Sequence, residues 1–139
     1  MEKLTIEKKF KHAIVYTVNN KEDTAVVEAI SNYIPFESFK EVFIFIGELA
    51  DRKKLKKLIF DKTKLTVFHQ PSMEWYFIEW KEKMFDIGLN THIKILPKDE
   101  IFRYSVKIGR DKINKKHPEK KYNKMEIRYA ETLDEALMN

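Results

Sequence analysis

The period of the apolar positions changes several times along the chain, and each change marks an element. Residues Ala13–Val18 are β-branched and aromatic, as strands prefer. Asn19-Asn20-Lys21-Glu22-Asp23 is turn chemistry, and Thr24–Ile30 runs apolar again, so the spacing predicts a hairpin. A short strand around Leu4–Ile6 is expected before it. A helix over Glu22–Asn32 competes for the second arm, because Val26, Val27, Ala29 and Ile30 also fit helical spacing; the β-branched content favours the strand. From Pro35 onward Phe36, Phe39, Val42, Phe43, Ile46, Leu49 and Ala50 recur on one helical side, with Glu37, Lys40, Glu41, Glu48 and Asp51 opposite. Proline suits the first helical position, where its missing N–H is no loss.

The alternation then becomes regular. Leu58-Ile59-Phe60-Asp61 is a continuous apolar run closed by an acid, the pattern of a central strand buried on both faces. A second helix starts at Gln70-Pro71-Ser72, runs to about Ile87 and stops at Gly88. Thr91–Leu96 alternates like a strand, and Pro97 with Asp99 and Glu100 opens a third helix. Gly109–Lys124 is polar and basic, Met125–Tyr129 reads as a last strand, and Thr132-Leu133-Asp134-Glu135 fits a capping box. This order predicts an α/β fold: a mixed sheet with an N-terminal hairpin, then alternating β-α units with helices packed on the sheet.

Composition narrows the class. The 139 residues suit one domain, 1–139, and 43% hydrophobic residues are too many for a disordered chain. Zero cysteines remove disulfide scaffolds, thiol catalysis and thiolate zinc sites together. With no apolar leader and no run of about 20 apolar residues, a cytoplasmic protein without a transmembrane segment is expected.

The order of strand Leu58–Asp61, the segment Lys64-Leu65-Thr66-Val67-Phe68, a helix, the turn Gly88-Leu89-Asn90 and another strand is similar to that of the STAS domain. The closing Glu131-Thr132-Leu133-Asp134-Glu135-Ala136-Leu137 also resembles the terminal segment of that fold, so the resemblance runs from Ile34 to Met138. It implies a stand-alone bacterial relative of the anti-sigma-factor antagonists of the SpoIIAA type, which bind a protein partner and are switched by serine phosphorylation. In those antagonists an Asp-Ser-Ser-Gly-type motif opens the helix after the central strand. Here the matching stretch is His69-Gln70-Pro71-Ser72, without the aspartate or the glycine. The resemblance implies the fold more strongly than the switch.

Searches for chemistry return little. Gly47, Gly88 and Gly109 are isolated, so there is no dinucleotide fingerprint, P-loop or nucleophile elbow. The four histidines lie at least 23 positions apart, with no metal-ligand spacing. No catalytic residue, metal site or cofactor is assigned. Glu79, Glu82 and Asp86 share a helix side and read as a solvated face. His92 reads as a strand-face residue. Asp61, at the end of a central strand, and His69, in the loop before a helix, stand where open α/β sheets contact ligands; each has an equally simple capping role.

Two excesses remain. On a regular helical wheel Met73, Tyr76, Phe77, Trp80, Met84 and Ile87 fill one stripe about 100° wide, while Trp75, Ile78 and Phe85 fall outside it. Leaving each of those three in water forgoes roughly 1.5–3 kcal/mol of burial, so either the chain covers them or a partner does. From Arg103 to Lys124, nine Lys/Arg face two acids, more than the whole-chain excess of +5. The leading expectation is therefore a non-catalytic STAS-like domain that binds a protein partner or forms a homodimer through Trp75, Ile78 and Phe85, flanked by His69 and Ser72. The first alternative binds nucleic acid or another anion through Lys112, Lys115, Lys116, Lys120 and Lys121. The second is a small-ligand carrier or enzyme with a pocket near Asp61 and His69.

Overall fold

Strand and helix periods resolve into a single mixed sheet with its helices unequally shared between the two faces. In the computed structural model, which describes residues 3–139, β1 (Leu4–Lys9), β2 (Ala13–Val18) and β3 (Lys21–Ala29) are antiparallel neighbours. The β-branched arm therefore takes the strand form, and β1 is longer than the short strand expected. Asn20 turns the hairpin with φ 71°, a left-handed conformation that asparagine tolerates well. β4 (Lys57–Asp61), β5 (Thr91–Ile95) and β6 (Glu126–Ala130) then add in parallel, giving the order β1-β2-β3-β4-β5-β6.

Each parallel step needs a crossover, and helices supply it. α1 (Phe36–Lys53) joins β3 to β4. α2 (Gln70–Trp75), a π-helical turn (Tyr76–Lys81) and α3 (Glu82–Asp86) join β4 to β5. α4 (Glu100–Lys116) and a 3₁₀ turn (Lys121–Lys124) join β5 to β6. All of these cover one face, where Val27, Leu58 and Phe60 meet Phe43, Trp80 and Phe102 in the larger core. The other face carries only α5 (Leu133–Met138), whose Ala136 and Leu137 pack on Val26, Ile59, Ile93 and Ile95. The predicted α/β fold, hairpin first and alternating units after, is thus the observed one.

Three local readings change. Pro35 is the N-cap of α1, one position ahead of the helix. The basic stretch beginning at Gly109 is helical as far as Lys116, because Phe102, Val106, Gly109 and Ile113 keep a buried stripe running through it. There the backbone touches its neighbour so closely that a Cβ on Gly109 would come within 2.8 Å of the Phe68 ring. The helix after Pro71 is not uniform, since its middle six residues widen into a π turn. Thr132 caps α5 as expected, its Oγ1 accepting from Glu135 N–H at 3.1 Å, while the Glu135 carboxylate reaches one residue further back and accepts from Glu131 N–H at 2.9 Å.

Candidate functional site

The carboxyl ends of β4 and β5 lie side by side beneath α2, the π turn and α4. Phe60 on β4 and Lys94 on β5 are register partners and stand on the helix-covered face. One residue beyond β4, Lys62 N–H donates to the Ile95 carbonyl at 2.9 Å, extending the ladder and fixing the Lys62 backbone. Asp61 closes the turn by accepting from Thr63 N–H at 3.0 Å and Thr63 Oγ1–H at 2.5 Å. The loop that follows is tied down where Thr66 and Val67 N–H both donate to the Asn32 carbonyl.

His69 caps α2: its Nδ1 accepts from Ser72 N–H at 3.3 Å and lies 2.9 Å from Ser72 Oγ. The ring sits between Tyr33 and Phe36, with centroids 6.3 and 6.0 Å away. The π turn decides what comes next. At ~100° per residue Lys81 would stand about 140° around the helix from Tyr76, whereas a π turn bonds i to i+5 and brings those two positions closer around the axis. Tyr76, Phe77, Trp80 and Lys81 are all buried as a result. Trp80 is anchored by its indole N–H, which donates to the Phe43 carbonyl at 2.6 Å.

Three lysines converge here. Lys62, Lys81 and Lys94 are 6%, 2% and 3% exposed. The Lys81 amine lies 4.1 Å from the Phe77 ring centroid and 5.2 Å from that of Tyr76; the Lys94 amine lies 5.3 and 5.8 Å from the same two rings. The Lys62 amine lies 5.0 Å from the Phe60 ring. Lys81 and Lys94 share a side-chain hydrogen bond. Among the described residues none of the three forms a salt bridge. The Arg110 guanidinium repels all three.

Burial without an anion disfavours the ammonium form. It pushes the Lys81 amine down to about 7, and pushes Lys62 and Lys94 well below the ordinary lysine range, with mutual repulsion adding to each shift. His92, on the same strand face as Lys94, is held neutral by burial first and by the three lysines after it. Its Nδ1 lies 3.0 Å from the Tyr76 hydroxyl, which burial keeps protonated, while its Nε2 has no hydrogen-bond partner.

A cavity of about 70 Å³ opens beside Lys62. Its walls are mostly apolar, from Phe39, Phe60, Phe77 and Phe102 among others, with His69, Ser72, Tyr76 and Lys62 as the polar groups. That volume suits roughly five waters or a small organic ion. Of the two residues around which a pocket was expected, His69 lines this cavity and Asp61 does not, being occupied in the adjoining turn.

The other predicted residues lie elsewhere. Trp75 is half-buried, edge-on to Phe39 at 6.2 Å. Ile78 is also half-buried and borders a groove that includes Lys112 and Lys116 of α4. Phe85 is half-buried, and Ile87, placed by the wheel in the core stripe, is instead exposed. Lys112, Lys115 and Lys116 are solvent-facing, whereas Lys121 is paired with Asp86 at 2.8 Å. Glu82, read from the sequence as part of a solvated face, accepts from the Lys121 and Tyr122 N–H groups at 3.0 Å each and so caps the 3₁₀ turn, while Asp86 of the same face pairs with the Lys121 side chain. Among the described residues no cluster has a metal-binding ligand set, and no helix is long and apolar enough to cross a membrane.

No family model, curated protein or solved structure matches the chain.

The lysine cluster has a consequence for stability. In the unfolded chain each amine keeps its proton up to about 10.5, the ordinary value, while folded Lys81 releases it near 7. Between those values the unfolded state binds more protons, so stability rises with pH by up to about 1.4 kcal/mol per unit for a fully displaced lysine. Below about pH 7 Lys81 is charged in both states and its unfavourable contribution is constant. Urea unfolding followed from pH 7 to 9.5 is expected to show increasing stability, with a shallower rise in Lys81→Met. A steady fall over that window would contradict it.

Proposed function

We propose that this chain binds a small acid with an apolar body at the carboxyl ends of β4 and β5. The observation that carries the reading is three buried lysines without a counter-ion beside an apolar cavity. Each buried, unpaired ammonium costs several kcal/mol, and an aromatic neighbour offsets only about 0.5–2 kcal/mol of that. A carboxylate or phosphate entering the cavity relieves the deficit, while the aromatic walls favour a ligand with an apolar remainder. The position supports the same reading, because strand carboxyl ends are where open α/β sheets hold ligands. The absence of cysteines makes a cytoplasmic setting part of this proposal.

The test is thermal unfolding at pH 6.5 with propionate, butyrate or inorganic phosphate against chloride at equal ionic strength. At least one of these acids is expected to raise Tm. Lys94→Met is expected to be more stable than the parent without ligand, by about 1–4 kcal/mol, and to lose the ligand-induced shift. No shift with any of them, together with a destabilised Lys94→Met, would overturn the reading.

A second reading follows the STAS-like expectation, in which the domain binds a protein partner or a second copy of itself. It is favoured by Ile44 and Ile87, 51% and 37% exposed, which line a groove between α1 and α3 together with Trp75. Size-exclusion with light scattering should then give a dimer that Ile44→Lys converts to monomer. A monomer at every concentration, with no complex formed, counts against it.

A further inference from the structure

The three amines differ in one respect that matters for chemistry. Lys62 lines the cavity, whereas Lys81 and Lys94 do not and are bonded to each other beside the Phe77 and Tyr76 rings. Lys62 is also fixed at its base, where its N–H donates to the Ile95 carbonyl at 2.9 Å. Among the described residues its nitrogen has neither a carboxylate nor a hydrogen-bond acceptor assigned to it.

We propose that Lys62 captures a small carbonyl compound, a 2-oxo acid or an aldehyde, as an imine. This rests on the acid-binding reading, which it deepens by naming the reacting group of the ligand. A lysine becomes a nucleophile when it is uncharged, and desolvation beside other cations is the standard way to keep it so. The basic groups around Lys62 are Lys94, Lys81 and Arg110, with no acid among them; His69 and Tyr76 are the other titratable groups on the cavity wall. Burial first, then Lys94 and Arg110, hold its amine well below the ordinary ammonium range, which favours the form that carries a lone pair.

The step balances within the site. The amine lone pair adds to the carbonyl carbon as the C=O π pair moves to oxygen. A proton then passes from nitrogen to that oxygen, giving a carbinolamine. Cleavage of the C–O bond, with a second proton going to oxygen, releases water as the C=N bond forms. One amine and one carbonyl become one imine and one water, with no oxidant or reductant. The Arg110 guanidinium, which acts on Lys62, supplies positive charge toward the acid group of a 2-oxo acid, and the apolar walls exclude the water that would reverse the condensation.

The experiment incubates the full chain at pH 7 with pyruvate, and separately with propanal, in the presence of sodium cyanoborohydride, and locates the reduced adduct by peptide mass spectrometry. Lys62 should be labelled at least about tenfold more than any exposed lysine, and Lys62→Arg and Lys62→Met should each lose that adduct. Excess propionate should protect Lys62 in the unaltered chain, a readout independent of how well the variants fold. Labelling spread over exposed lysines, with Lys62 no higher than they are, would overturn the proposal. Thermal stabilisation by propionate with no Lys62 adduct would remove imine formation and leave acid binding standing. A Lys62 adduct that propionate neither slows nor displaces would support imine formation and remove acid binding.

Discussion

A lysine ammonium taken out of water loses hydration that only an anion, a set of acceptors or loss of its proton can replace. Here that demand is made three times in one place, by Lys62, Lys81 and Lys94, and among the described residues no acid answers it. The aromatic rings around them soften the deficit without removing it, since a cation–π contact is worth less than the hydration it replaces. The features of this end of the molecule follow from that imbalance. The amines shed protons, His92 stays neutral beside them, and an apolar cavity with one polar wall is left open to a ligand of opposite charge.

The fold creates the imbalance in two ways. Parallel strands β4 and β5 are buried on both faces, so a lysine at position 94 has no route to solvent across the sheet. The π turn then rotates Lys81 inward above Tyr76, where a regular helix would have directed it away. Such turns are rare in helices and concentrate at functional sites, and stability given up for a site is the usual trade in proteins. The surrounding packing is strong enough to hold the arrangement: Trp80 is locked to α1 through the Phe43 carbonyl, and Phe43, Tyr76 and Trp80 pack with centroids about 5 Å apart.

Much of the architecture was readable from apolar period and punctuation. The hairpin, the α1 stripe, the central strand Leu58–Asp61, the stop at Gly88 and the final Thr132 cap each rest on local rules that tertiary contacts did not override. The site was less readable. His69 and the strand end at Asp61 pointed to the right region, because position in an α/β sheet is a topological property. The lysines were hidden by their commonness: 27 Lys/Arg make any single one look like surface. Lys94 did carry a signal, a charge at an inward position of the apolar run Thr91–Ile95. Lys81 carried none, because a regular wheel turns it away from the stripe of Tyr76, Phe77, Trp80 and Met84, which are buried as the wheel placed them, whereas Ile87 at the end of the stripe is exposed.

The central claim is that burial without a counter-ion makes the three amines release their protons at lower pH than exposed lysines in the ligand-free protein. Nitrogen NMR of the lysine side chains, assigned by single Lys→Arg variants, reads each protonation state directly. The account requires Lys62, Lys81 and Lys94 to titrate well below the exposed lysines, with Lys81 near 7. If all three instead titrated with the exposed lysines near 10.5, the cluster would be solvated or paired with an acid, and the account of this site would be contradicted.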